Sequence, residues 1–216
     1  LIDLALHFER LERSLSAIEI DVPISRASLN IVMKELICRN RVAYGKLYLQ
    51  ITRGQAARGH SFPAGIRPSV VMTCSRSKLR EIARRSAEGV AVVSVDDSRW
   101  AGPHIKSVSL LPNVLAKQEA FVQGAFEALF VDADGVVTEG SSTNVWMVDE
   151  SDVLRTHPAD DTILSGITRR ILFDLAEVEG VAVKEQAFGL AEAKAGKEVF
   201  ITSTTEGVVP VISIDG

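Results

Sequence analysis

A chain of 216 residues, 46% hydrophobic and 24% charged, is long enough to bury one large core or two smaller ones that share a cleft. A net charge of -4 with a pI near 5.6 excludes the basic footprint of a nucleic-acid or anionic-membrane binder. Two distant cysteines, Cys38 and Cys74, exclude a disulfide framework and a cysteine metal site, and no apolar run is long enough to span a bilayer, so a reduced, cytoplasmic setting is expected.

Phe8, Leu11, Leu15 and Ile18 recur at helical spacing and predict an amphipathic helix over 5–18. Leu29, Val32, Met33, Leu36 and Ile37 mark a second helix, capped by Ser25 or Ser28. Leu47, Leu49 and Ile51 alternate with polar or amphipathic residues as in a strand, and 70–72 is a further short strand after Pro68. The charged stretch 75–88 has little apolar periodicity, ends at Gly89 and reads as a linker. Beyond it come a strand at 90–95 and a helix at 110–122, then strands at 128–131, 136–138, 145–148 and 153–155. The turns 132–135 and 149–152 have the Asp and Gly chemistry of hairpins. A helix starts just after Gly166, and strands at 181–183 and 199–202 follow. Two α/β domains of unequal size are expected, a small one at 1–80 and a larger one at 81–216. The chain opens Leu1-Ile2-Asp3 without a methionine and closes on a strand running into a turn, so both ends read as cut from something longer.

Three segments rich in small and hydroxylated residues lie at element ends: 138–144, 164–168 and 202–205. Each reads either as capping and turn chemistry or as part of a phosphate cup, because a glycine-flanked helix start exposes amide donors to an anion. No GxxxxGK[ST] or GxGxxG loop is present, no Gly-x-Ser-x-Gly elbow, and the four histidines lack metal-ligand spacing. The acid pairs Asp96-Asp97 and Asp160-Asp161 sit in turn-like settings and are expected to be solvated. Lys106 lies in the apolar run His104-Ile-Lys-Ser-Val-Ser-Leu-Leu111, between a strand and a helix. It reads either as a snorkelling surface lysine or as a partly desolvated amine able to form Schiff bases.

Read together, several segments resemble the fold-type IV (class IV) pyridoxal-phosphate (PLP) aminotransferases, the D-amino-acid transaminases most closely. They are Ile105-Lys-Ser-Val-Ser-Leu-Leu-Pro-Asn-Val-Leu-Ala-Lys-Gln-Glu-Ala120, Val137-Thr-Glu-Gly-Ser-Ser-Thr-Asn144, Thr156-His-Pro158, Ile163-Leu-Ser-Gly-Ile-Thr-Arg169 and Ile201-Thr-Ser-Thr-Thr205. The likeness runs from about residue 6 to 215, in consistent order and spacing.

The resemblance implies a two-domain α+β / α/β fold with the cofactor in a cleft between an incomplete small N-terminal domain and a larger C-terminal one. It implies N-terminal strands ahead of Leu1, carrying a substrate-contacting tyrosine, and further sequence after Gly216. Lys106 would hold PLP as a Schiff base and act as the base. Glu139 would pair with the pyridinium nitrogen, and Leu164 would pack on the ring. Ile167 and Thr168 would bind the phosphate through their amides, with Thr204 and with Arg10 of His7-Phe-Glu-Arg10. Glu127 would lie near the lysine. Arg58-Gly-His60 matches the Arg-x-His pair that takes the substrate carboxylate across a homodimer. The implied activity is ping-pong transfer of an amino group from a D-amino acid such as D-alanine to a 2-oxo acid such as 2-oxoglutarate. The alternatives are a branched-chain L-amino-acid transaminase and an aminodeoxychorismate lyase.

Overall fold

A computed structural model describes residues 1–216, which divide into two units, Leu1–Leu79 and Arg80–Gly216. The first unit has two helices, α1 (Leu4–Ala17) and α2 (Arg26–Arg39), and an antiparallel pair, β1 (Gly45–Thr52) and β2 (Ser69–Arg76). Between the two alternatives for the α2 cap, the structure selects Ser25: its side chain accepts a bond from the Ser28 amide at 3.1 Å. Ser25→Ala removes that acceptor and should lower stability by about 1 kcal/mol, read from urea unfolding. The alternation in β1 and β2 turns Leu47, Leu49, Val70 and Met72 onto a core formed with Phe8, Leu29 and Met33. Tyr48 and Val71 face outward.

The second unit holds an eight-stranded mixed sheet. Its strands are β3 (Val90–Asp96), β4 (Glu127–Val131), β5 (Val137–Gly140), β6 (Asn144–Val148), β7 (Leu154–Thr156), β8 (Val183–Glu185), β9 (Glu198–Ser203) and β10 (Gly207–Ile214). They lie in the order β5-β4-β3-β10-β9-β6-β7-β8. β3 runs parallel to both its neighbours, β4 and β10, and β7 is parallel to β8; the other pairings are antiparallel. Strict side-chain alternation sorts β3 and β4 onto two faces. Val92 and Leu129 enter one core with Met147, Phe188 and Ile201. Val93, Ala128 and Phe130 enter another, with Ala116 and Ala120 of helix α4 (Leu111–Val122).

The hairpin turns form as their residues require. Asp132 Oδ1 accepts from the amides of Asp134 and Val136 at 3.0 and 2.9 Å, with Gly135 at φ 79°. Asp149 does the same for Ser151 and Val153. Helix α5 (Ile167–Glu179) starts after Gly166 and stops at Gly180, whose φ of 70° closes it.

The expected linker at 75–88 contains the boundary between the units but is not irregular: it holds the end of β2 and a helix, α3 (Leu79–Glu88). No residue of α3 is buried. Charge pairs one turn apart, Arg84–Glu88 and Arg85–Glu81, support it instead, and Arg85 also binds Glu206 at 2.7 Å. A short helix, α6 (Leu190–Ala195), was not expected; it places Ala193 in the core. No helix is long and apolar enough to cross a membrane.

Candidate active site

Glu139 sits on β5, a strand buried along its whole length, where a carboxylate persists only if donors surround it. Three do. Arg99 Nη1 donates to Oε1, and the Leu164 amide (3.0 Å) and Asn144 Nδ2 (3.2 Å) donate to Oε2. Asn144 Nδ2 also reaches the Leu164 carbonyl at 2.9 Å, which fixes the loop ahead of α5 to β6. Gly166 is required there, since a Cβ at that position would collide with Asn144 Oδ1. Burial pushes the Glu139 carboxyl up to about 7, against the charge of Arg99, the Leu164 amide and the Arg99 hydrogen bond, with Asp97 adding to the rise.

The arginine beside it was not singled out in the sequence. Arg99 follows β3, and its side chain is 3% exposed. Its Nε and Nη2 bind both oxygens of Asp97, at 2.9 and 2.6 Å, and Nη2 also reaches Thr138 Oγ1 and the Thr162 carbonyl. The guanidinium lies 4.6 Å from the centroid of the Phe130 ring. The expectation that Asp96-Asp97 is a solvated pair is therefore corrected for Asp97. Its side chain is 13% exposed, clamped by Arg99 and by the Thr138 hydroxyl at 2.8 Å. Burial works to raise its pKa, but the Arg99 bonds and charge hold it below the usual carboxylate value. Asp160 keeps a turn role, accepting from the Thr162 amide and hydroxyl.

A second buried carboxylate, Glu127 on β4, is 0% exposed. It accepts from the Ser141 and Ser142 hydroxyls and the Ala128 amide, and the lysine at its Oε1 is Lys117, at 3.2 Å. The hydroxyl-rich segment 138–144 is thus spent on internal wiring: Thr138 on Asp97, the serines on Glu127, Asn144 on Glu139.

Lys106 lies on the loop between β3 and α4, held by short turns on either side, Ile105 N to Gly102 O and Leu110 N to Val108 O. The loop and the first turn of α4 are each tied to the elements around Glu139. His104 Nδ1 is 3.2 Å from the Asp161 carbonyl, and Asn113 Nδ2 donates to the Ser141 carbonyl at 2.9 Å. Lys106 itself is exposed, so of the two readings of its setting the chain alone does not supply desolvation. Leu164 and Thr168 are half-buried and Ile167 is buried. The helix cap Gly166 places no side chain over the first-turn amides of Ile167 and Thr168. Thr204 is exposed in the turn between β9 and β10.

In the first unit, Arg10 on α1 is 7% exposed, and burial together with Arg13 lowers its pKa to about 10. Arg58 and His60 are exposed on the loop between β1 and β2.

The second unit thus carries a buried carboxylate held by three donors, one of them the Leu164 amide on the loop that leads into α5, a helix whose start has no side-chain cap. Comparison with known proteins identifies the family. The family model for amino-transferase class IV matches residues 1–214. The chain is 43% identical to the D-alanine aminotransferase of Bacillus licheniformis, over 97% of this chain and 73% of that one. It superposes on the branched-chain amino acid aminotransferase of Escherichia coli with a TM-score of 0.85 at 25% identity, covering 99% of this chain and 71% of that one. A putative 4-amino-4-deoxychorismate lyase from Legionella pneumophila shares the fold at a TM-score of 0.87 and 24% identity, over 99% and 78% of the two chains.

The chain therefore belongs to the class IV aminotransferases, pyridoxal-phosphate enzymes of fold type IV whose substrates are amino and 2-oxo acids. The residues present fit that cofactor. A carboxylate offers about four lone-pair positions. Three on Glu139 are taken, and one on Oε1 remains for a ring N–H. The glycine-started helix α5 offers amides to a phosphate.

Proposed function

We propose that this chain is a D-amino-acid transaminase that moves an amino group from D-alanine or a similar D-amino acid to 2-oxoglutarate in a ping-pong cycle. The observation that carries this is the 43% identity to a D-alanine aminotransferase across nearly the whole chain. The Arg58-Gly-His60 loop supports it, because a planar guanidinium and an imidazole two residues apart can grip one α-carboxylate. Which face of the amino acid then meets the base decides D over L.

When bound, the cofactor supplies a carbonyl carbon that takes the amino group and a ring that accepts electrons from the substrate Cα. The rest falls to the chain. Lys106 would hold the cofactor through Nζ, and the same amine, once displaced by substrate, would take the Cα proton and deliver it to the cofactor carbon that receives the amino group. Glu139 would keep the ring nitrogen protonated, and Leu164 would pack on the ring. The amides of Ile167 and Thr168, with Thr204, would hold the phosphate.

The working unit is a homodimer in which Arg58 and His60 serve the partner's site. An exposed apolar stripe on α4 (Leu111, Val114, Leu115, Phe121, Val122) supports this, since such a face is costly in water. Both cysteines are free thiols, which suits the cytoplasm.

Incubation with 2-oxoglutarate and either D- or L-alanine tests the reading. D-alanine should be turned over and L-alanine left, and Arg58→Ala should lower kcat/KM for D-alanine by roughly 10- to 100-fold, the loss of one bidentate charged contact of about 1.5–3 kcal/mol. Preference for L-leucine or L-valine would instead favour a branched-chain enzyme. Pyruvate release from aminodeoxychorismate without an oxo-acid acceptor would favour a lyase.

A further inference from the structure

The family reading gives Glu139 a role but leaves open what keeps a carboxyl ionised and aimed in a site that is almost fully enclosed. We propose that Arg99, itself clamped by Asp97 and Thr138, is a positioning residue that holds Glu139 as an oriented carboxylate, leaving one Oε1 lone pair for the cofactor's ring nitrogen. This deepens the transaminase reading and rests on it for the identity of the ring.

Geometry carries the inference. Glu139 reaches solvent over only 6% of its surface, so ionisation there needs a fixed counter-charge. Arg99 is that charge, bonded through Nη1 to Oε1. It cannot swing away. Nε and Nη2 are taken by Asp97, Nη2 also by Thr138 and Thr162, and its Cζ lies over the Phe130 ring. Asp97 makes the clamp two-sided: its Oδ2 also receives the Thr138 hydroxyl, one residue before Glu139 on the same strand. The end of β3 and the strand that carries Glu139 are thus held in one register by a single guanidinium. Meanwhile Oε2 is filled by Leu164 and Asn144, which fixes the rotation of the carboxyl and decides which oxygen stays available.

The charges acting on Glu139 agree with this division of labour. Burial raises its pKa, Arg99 lowers it, and Asp97 raises it less. The carboxyl of the cofactor-free protein is therefore poised near 7, held there by Arg99 alone among the charged groups. A protonated ring nitrogen adds a second cation and draws it fully into the ionised form. Arg99 acts through Glu139.

The test is a carbon-13 NMR titration of the cofactor-free protein with glutamate labelled at the side-chain carboxyl. The Glu139 signal is assigned by its loss in Glu139→Gln. Wild type should titrate near 7. Arg99→Gln should raise the midpoint by about 1–3 units, the usual effect of removing an opposite charge at contact distance. Arg99→Lys keeps a charge but cannot bond Asp97, Thr138, Thr162 and Glu139 at once, so its midpoint should fall between the two. An unchanged midpoint in either folded variant overturns the proposal, and Arg99→Lys keeps it open to refutation if Arg99→Gln does not fold. Adding PLP to wild type reads the parent assignment separately. Failure to develop the visible band of the lysine-bound cofactor would sink the transaminase reading while leaving the carboxyl titration, and the Arg99–Glu139 coupling, intact.

Discussion

Replacing Lys106 with alanine is expected to abolish the visible band that forms when PLP is added, and to lower transamination by on the order of 10⁴-fold or more. Loss of a positioned base alone accounts for roughly 10²–10⁴-fold, and loss of the covalent attachment adds to it. Stability should barely respond. Lys106 is exposed on a loop whose turns are made by the backbone of its neighbours, and changes at such positions stay within about 0.5 kcal/mol. The dissociation between the two readouts is the informative part. A protein that melts normally, no longer shifts the PLP spectrum and no longer transaminates places the chemistry on this amine. A band that survives Lys106→Ala unchanged would falsify the assignment.

Glu139 should show itself in two independent measurements. In the cofactor-free protein its carboxyl is raised from 4.5 to about 7, so the folded state binds this proton more tightly than the unfolded chain does. Its favourable contribution is complete below about 4.5 and is lost as pH climbs to 7. The difference is about 2.5 pKa units, or roughly 3 kcal/mol. Urea unfolding across that window should give wild type a downward slope with rising pH that Glu139→Gln lacks. Asp97, whose pKa is lowered, works in the opposite sense and at lower pH. The comparison is therefore made above about 4.5, where that group stays ionised in both states. In the holoenzyme, Glu139→Gln leaves the ring nitrogen without an anion, and kcat should fall on the order of 10²–10³-fold, as for other fixed electrostatic partners. A flat pH difference would mean that Glu139 is not the enclosed acid described above.

What the sequence made legible was local. The caps and turns could be read because their side chains bond amides two to four residues away: Ser25 to Ser28, Asp132 to Val136, Asp149 to Val153. The strands of the large sheet could be read because alternating or continuous Val, Ile and Leu runs serve one or two buried faces. Helix α3 was hidden because its support is ionic rather than apolar. The Asp97–Arg99–Glu139 clamp was hidden for a different reason. Arg99 and Glu139 are forty residues apart, and only the adjacency of β3, β4 and β5 brings them together. Seen along the chain, Asp97 and Arg99 flank a serine in an ordinary turn. The resemblance to a family supplied Glu139 and Leu164 as separate residues; that the Leu164 amide binds the Glu139 carboxylate is a fact of the fold.

The placement of β10 has a consequence for how the large unit comes into being. β3 is an interior strand, yet one of its two neighbours is β10, with Val90 opposite Val211. Until residues 207–214 have been synthesised, the β3–β4 ribbon presents a bare edge of Val-rich backbone. An edge of that kind invites pairing with other chains. Closing so distant a contact is slow, since loop entropy is lost before any bond repays it. The antiparallel β1–β2 pair is joined by residues 53–68, a far shorter span than the one that separates β3 from β10. The second edge of β3 is therefore expected to be covered only once β10, the last strand of the chain, is in place.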